Sequence, residues 1–406
     1  MPSMLRKPHV SDSGSLNCAA FFVRSSKRAI VFSRGLKTLM KISRISVYQV
    51  TLPLKHPYRL SGGRLYVDKL DSTIVAIDTD EGIRGWGEGC PWGSTYLPAF
   101  SRGIRAGIEE LAPQLLGLDP RRTDFIYRTM DIALPGHPYI KSALDMACWD
   151  ILGKATELPL CELFGGRIDE PVTVQNFVST GTPEEMIKSI QWGQERGYTI
   201  HTCKIGANVA LDIERIKTVS SYLPGNESAT FDVNRAWLMD EALRVMNAVK
   251  DYVCYFEEPC ETYEESLQVR RVTSHPIILD ECIQRYGDIV RANADNACEA
   301  IGLKVCRVGG LTKAKRIRDF CMERGIRMNI EETGGSIIAD TGAVHLAQAT
   351  PRIFLRGTLL CHDISTVDTA IGGARNRGGK TFAPEVPGLG VEPKMDVLGK
   401  AIAVYE

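Results

Sequence analysis

Apolar and polar residues alternate with a period of two in the first clearly patterned part of the chain. "KISRISVYQV" and "STIVAIDTD" both read as half-buried strands. Between them "KHPYRLSGGR" carries adjacent glycines and reads as a loop, Glu81-Gly82 reads as a turn, and "IRGWGEGCPW" adds a strand that closes the sheet. Apolar positions then recur at helical spacing through "AFSRGIRAGIEELAPQLLG" and again through "IKSALDMACWDILGKATEL". Residues 40–170 are therefore expected to form an α+β unit.

After "LFGGR" the texture becomes a regular alternation of strand and helix. The strand candidates are "VTVQNFVS", "YTIHTCKIG", "ATFDVN", "VCYFEEP", "PIILDE", "AIGLKVCRVGG", "IRMNIEE" and "IFLRGTLLCHDI", and each of the first seven is followed by a helical pattern. Thr182-Pro183 and two glutamates mark the start of the first of those helices. Spacing of this kind predicts an α/β protein with a parallel (β/α)7β barrel of the TIM type over residues 171–370. An open doubly wound sheet is the structural alternative, but the first βα turn lacks a G-x-G-x-x-G loop. The Gly- and Pro-rich tail, 371–406, is expected to fold back onto the first unit, which would cap the barrel.

Composition narrows the function classes. The chain has 406 residues, 44% of them apolar and 24% charged, with 49 basic and 49 acidic side chains. A net charge of zero argues against nucleic acid as a partner. No apolar run reaches the roughly 18–20 residues that a membrane span needs. The 12 cysteines are scattered singly, which suits free thiols in a reducing compartment rather than a zinc site or a disulfide framework. Residues 1–39 are rich in Arg, Lys and Ser, with Asp12 their only acidic residue. That composition fits a transit peptide, while the clean strand pattern that begins at Met40 fits an alternative start. The expected compartment is the cytoplasm or the mitochondrial matrix, not the exterior.

In a barrel, the side chains at the carboxyl ends of the strands converge on one mouth. Those ends carry, in order, Lys204, Asp232 with Asn234, Glu257, Asp280, Lys304 and Glu331, about one βα unit apart each time. A lone charge at a strand end is ordinary surface chemistry; a series in phase around one mouth is not. Inward-facing carboxylates repel one another unless a hard divalent cation holds them. Oxygen donors without His or Cys favour Mg²⁺, with Mn²⁺ as the alternative. Lysines flanking such a cation are discouraged from carrying charge, which lowers their pKa toward what a general base requires. The set therefore reads as a machine for abstracting the proton α to a carboxylate.

The same residues carry a family likeness. "ALDMACWDILGKATELPLCELFGG" resembles the signature helix of the mandelate racemase/muconate-lactonizing branch of the enolase superfamily, and "CKIG", "FDVN", "FEEP", "ILDE" and "LKVCRVGG" resemble its strand-end motifs. The likeness runs from Met40 to Glu406. It implies Asp232, Glu257 and Asp280 as metal ligands and Lys204 and Lys304 as the acid/base pair. Glu257 is preferred to Glu258 because the family's ligand is the first residue of E-x-P, and Asn234 would support the metal or its waters. One position departs from the pattern: Thr202 stands where the family's K-x-K has its outer lysine. That loss removes a like charge from beside Lys204.

Within the branch, "LPLKHPYRLSGGRL", "GWGEGCPWGSTYLPA", "LPGHPY" and "DVNRAW" resemble its dehydratases of cis-3-hydroxy-L-proline. The resemblance implies elimination of the 3-hydroxyl from a small amino-acid substrate, with the protein expected to be a homo-oligomer. The same lysine pair would also serve 2-epimerisation of proline betaine or hydroxyproline betaine; acid-sugar dehydration and a non-catalytic metabolite-binding barrel are the remaining alternatives. Betaine epimerases resemble the chain too, but Thr333 stands where their pattern implies an aromatic residue. The loops "KHPYRLSGG" and "CPWGSTY" are expected to close over the mouth, which makes His56, Tyr58 and Tyr96 substrate-contact candidates. Thr202, Asn234, Glu331 (or its neighbour Glu332) and Asp363 beside His362 complete that set.

Overall fold

The computed structural model describes residues 39–406; the basic segment read either as a transit peptide or as sequence upstream of an alternative start lies outside the described residues, apart from Leu39. A long antiparallel hairpin comes first. β1 (Ile42–Leu60) pairs with β2 (Leu65–Thr79), and β3 (Arg84–Gly89) pairs with β2 on its other side. Much of the segment read as a loop belongs to this hairpin, since Tyr58, Arg59 and Leu60 face Val67, Tyr66 and Leu65. The ladder breaks between Pro53 and Tyr58, where Pro57 has no N–H to give, and it resumes beyond the break. The tip turns through Ser61, Gly62 and Gly63, all at positive φ.

α1 (Ser101–Leu115), α2 (Thr123–Ala133) and α3 (Pro138–Thr156) complete the cap. α3 is buried almost throughout, and β3 packs directly on it. A Cβ on Gly87 would lie 2.0 Å from the Ala143 carbonyl oxygen, so only glycine lets strand and helix approach this closely. α2 was not legible in the pattern because it buries only Ile126, Tyr127 and Met130.

The second half is an eight-stranded parallel sheet whose spatial order is its chain order. Its strands are β4 (Asn176–Val178), β5 (Ile200–Lys204), β6 (Ser228–Asp232), β7 (Tyr255–Glu257), β8 (Ile277–Leu279), β9 (Ala300–Lys304), β10 (Arg327–Glu331) and β11 (Leu355–Gly357). A parallel bridge between Val174 and Thr358 joins the two edges and closes the barrel. The long helices between the strands are α4 (Pro183–Gln194), α5 (Val209–Tyr222), α6 (Met239–Ala248), α7 (Tyr263–Val272), α8 (Tyr286–Ala294), α9 (Leu311–Arg324) and α10 (Ile337–Gln348). Sequence chemistry starts several of them: Thr182 and Glu185 form a capping box on α4, Thr262 and Glu265 one on α7, and Asn208 caps α5. After β11 a 3-10 turn, Cys361–Ile364, stands where an eighth barrel helix would follow, and the tail continues beyond it in short elements. The architecture is thus the expected (β/α)7β barrel with a cap. No helix among the described residues is long and apolar enough to cross a membrane.

Two features tie cap to barrel. β12 (Ala403–Tyr405), at the end of the chain, pairs antiparallel with β1. Glu88 of β3, fully buried, accepts hydrogen bonds from the Ser336 N–H (2.8 Å), the Ser336 hydroxyl (2.6 Å) and the Ala339 N–H (2.9 Å) at the start of α10. A cap carboxylate therefore satisfies the orphan donors of a barrel helix and meets the positive end of its dipole.

Candidate active site

The charged strand ends form one layer. Lys204 lies opposite Asp232, Asp232 opposite Glu257, and Lys304 opposite Glu331, while Asp280 directly follows β8. β5 and β9 stand four places apart in the closed order of eight, so Lys204 and Lys304 rise from opposite sides of the mouth. All are nearly inaccessible: Asp232, Glu257 and Asp280 are exposed by 1%, 3% and 0%, and Lys204 and Lys304 by 7% and 8%.

Each lysine is paired with a carboxylate. Lys204 Nζ donates to Asp232 Oδ2, and Lys304 Nζ lies 2.7 Å from Asp280 Oδ2 and 3.7 Å from Glu331 Oε1. Asp280 is held from behind: Arg307, itself fully buried, donates to its Oδ1 at 2.8 Å and to the Gly302 carbonyl at 2.5 Å. A Cβ on Gly302 would fall 2.2 Å from Asp280 Oδ1, so that carboxylate can turn inward only over glycine. Glu258 lies elsewhere, its Oε2 accepting the Asp280 N–H at 2.6 Å, which leaves Glu257 beside Asp232 at the strand end.

The electrostatics follow from these contacts. Burial disfavours the charge on Lys204, but Asp232 outweighs it and the amine is held above its ordinary range; Asp280 does the same for Lys304. A cation between the carboxylates, as the strand-end pattern predicts, would depress the lysine pKa values. Where the carboxylates pair with the amines instead, the sign reverses. Burial and then the charges of Asp232 and Asp280 push Glu257 well up. Burial also raises Asp280, but Arg307 and Lys304 more than offset it and keep that carboxyl below the usual range.

Among the described residues, no three potential ligands already converge on one point; Asp232 and Asp280 are turned onto the lysines. The donor chemistry nevertheless fits a hard divalent cation. It consists of buried carboxylates on successive strand ends whose charges disfavour one another, with no His or Cys among them.

Above this layer a small cavity lies between cap and barrel. Lys204, Asn234, Lys304, Glu331, Glu332 and Thr333 line it from the barrel, and Tyr58, Trp92 and Tyr96 from the cap, with Phe177 of β4 between. Tyr58 meets Trp92 and Phe177 edge to face, each at 5.6 Å between centroids. The Tyr96 hydroxyl donates to Asp280 Oδ2 at 2.9 Å and accepts from Lys304 Nζ at 3.1 Å.

The structure thus brings Tyr58, Tyr96, Asn234 and Glu331 together with both lysines. It does not bring Thr202, His56 or Asp363 to the cavity wall. Thr202 lies inside the barrel and donates to Gln175 Oε1 at 2.7 Å. His56 is exposed and lines a separate outer pocket with Asp363, because the ladder break before Tyr58 puts it out of phase. Asp363 accepts from Asn376 Nδ2 at 2.8 Å, and its carbonyl accepts from Lys55 Nζ at 2.7 Å. Sequence reasoning missed Trp92, Phe177, Arg307 and Gly302. Arg307 and Gly302 flank Lys304 closely enough to have been found, whereas which loop and strand aromatics face the cavity is a tertiary fact.

Comparison with known proteins agrees with this geometry. Residues 43–165 match the family described as mandelate racemase / muconate lactonizing enzyme, N-terminal domain, and residues 185–397 match the one described as enolase C-terminal domain-like. The chain is 44% identical over 367 residues to cis-3-hydroxy-L-proline dehydratase of Roseibium aggregatum, covering 90% of this chain and 100% of that one. It is 28% identical over 369 residues to N-succinyl-L-Arg/Lys racemase of Bacillus cereus, covering 88% and 97%. A magnesium-complexed crystal structure of an enolase superfamily member from Roseovarius nubinhibens superposes with a TM-score of 0.87 at 48% identity, over 90% of this chain and 100% of that one.

Proposed function

The chain belongs to the enolase superfamily, in its mandelate racemase/muconate lactonizing enzyme branch, and on that premise we propose that it is a hydro-lyase acting on cis-3-hydroxy-L-proline. The observation that carries the reading is the pair of buried amines on opposite sides of one small cavity. The 44% identity to a dehydratase of that substrate supports the same choice.

In the cis isomer the 3-hydroxyl lies on the carboxylate's side of the ring, so the C2 hydrogen is on the opposite face. Lys204, as the neutral amine, takes the C2 proton. The electron pair released forms the C2–C3 double bond as the C3–O bond breaks, and Lys304 gives its proton to the departing hydroxyl, which leaves as water. The enamine product tautomerises to a pyrroline-2-carboxylate. Asp232, Glu257 and Asp280 would hold Mg²⁺, with Mn²⁺ as the alternative, and such an ion stabilises negative charge growing on the substrate carboxylate. Asp232 is also the partner that holds Lys204 protonated, so engaging it as a ligand would free Lys204 to act as a base without the outer lysine that Thr202 replaces. Tyr58, Trp92 and Tyr96 exclude water from the cavity.

A second reading has one observation in its favour. The aromatic wall of Tyr58, Trp92 and Phe177 suits a quaternary ammonium, and the same lysine pair would epimerise a proline betaine at C2. Product analysis with cis-3-hydroxy-L-proline and Mg²⁺, run beside Lys204→Ala and Lys304→Ala, tests both. The expected outcome is loss of the ring hydroxyl, with turnover falling by about 10²- to 10⁴-fold in each variant. Inversion at C2 with the hydroxyl retained would transfer the assignment to the second reading. An undiminished rate in either variant would remove that lysine from its role.

A further inference from the structure

Three consecutive residues at and just beyond the end of β10 present polar atoms with no protein partner: Glu331 Oε2, Glu332 Oε1 and Thr333 Oγ1. All three residues line the cavity, exposed by only 1%, 2% and 5%. Their remaining capacity is already directed. Glu332 Oε2 accepts the Cys306 N–H at 2.9 Å, and Glu331 Oε1 faces Lys304 Nζ at 3.7 Å. A buried acceptor without a donor is costly, and a row of them along one cavity wall marks where a ligand's donors belong.

The hydrogen-bonding capacity of the wall narrows the ligand. Lys304 is engaged by Asp280 and Lys204 by Asp232, and neither donates to Glu331 Oε2 or Glu332 Oε1. A substrate carboxylate brings only acceptors to this wall. A protonated amine brings donors, and its N–H groups match the free oxygens.

We propose that Glu331, seconded by Glu332, receives the N–H groups of a protonated secondary amine in the substrate ring, so that the site selects a nitrogen bearing hydrogen over a quaternary nitrogen or a ring oxygen. This inference rests on the amino-acid reading given above and adds the group that enforces it. A quaternary nitrogen has no hydrogen to offer and leaves both acceptors unpaired, a mismatch that a hydrogen-bonding site penalises heavily.

Calorimetric titration of the Mg²⁺-loaded protein with L-proline, tetrahydrofuran-2-carboxylate and N,N-dimethyl-L-proline tests the proposal. The wild type is expected to bind L-proline at least about tenfold more tightly than either analogue, and Glu331→Gln to weaken L-proline by about 10- to 100-fold while moving the ring-oxygen analogue by less than about twofold. Thermal unfolding and Mg²⁺ affinity report whether the variant is intact, and Glu332→Gln serves if Glu331→Gln fails to fold. Equal losses for all ligands, no loss for L-proline, or a wild type without the preference would overturn the proposal. A wild type that dehydrates cis-3-hydroxy-L-proline while the variant keeps full discrimination refutes this inference alone. A wild type that shows the preference but returns cis-3-hydroxy-L-proline unchanged refutes only the dehydratase reading.

Discussion

Glu258 and Glu331 are buried acids with too few partners, and their titration makes a prediction at the scale of single residues. Burial and then the neighbouring charge of Glu281 push Glu258 up to about 8; burial, only partly offset by Lys304, pushes Glu331 up to about 7. Both carboxyls keep their protons in the folded protein at pH values where the unfolded chain, with its ordinary value of 4.5, has released them. Their contribution to stability is thus complete below about pH 4.5 and is lost as the pH rises through about 7 to 8. Urea unfolding of the metal-free protein should give a lower midpoint at about pH 8.5 than at about pH 5.5, and Glu258→Gln should shrink that difference. An unchanged difference in the variant would show that Glu258 is ionised in the fold.

At the scale of elements, the joint between β3 and α10 carries the sharpest expectation. Glu88 is the partner of the Ser336 and Ala339 N–H groups, so Glu88→Ala would strand donors in a dry interface between cap and barrel. The expected loss is roughly 2–4 kcal/mol in chemical unfolding, with Glu88→Gln milder because one oxygen remains to accept. The elements themselves were largely legible: the barrel strands and their helices declare themselves by period and by regular spacing. That spacing also revealed Lys204, Asp232, Glu257, Asp280 and Lys304, because a charged residue recurs at the same place in successive βα units. What stayed hidden depended on tertiary geometry. The hairpin tip looked like a loop because its glycines and Pro57 mimic one, and the ladder break between Pro53 and Tyr58 sent His56 outward while Tyr58 went in. Asp363 ends up beside Asn376 because the tail returns there, which no local pattern announces.

Across the whole molecule, residues 40–406 form one contact unit in which the cap's sheet, the barrel and the tail share a continuous core. The cavity exists only where the two layers meet, since Tyr58, Trp92 and Tyr96 come from one and Lys204 and Lys304 from the other. The pairing of β12 with β1 has a further consequence. Tyr405 sits opposite Ile45, and Glu406 reaches Arg44 at 2.9 Å, so the two ends of the folded chain are neighbours. A short Gly/Ser bridge from Glu406 back to Met40 would make the backbone a ring, which could then be cut open at the exposed turn around Gly225, between α5 and β6. Such a circular permutant should fold and turn over substrate like its parent, and a rearranged chain that expresses only as insoluble material would mean that β1 must be made first for the barrel to assemble.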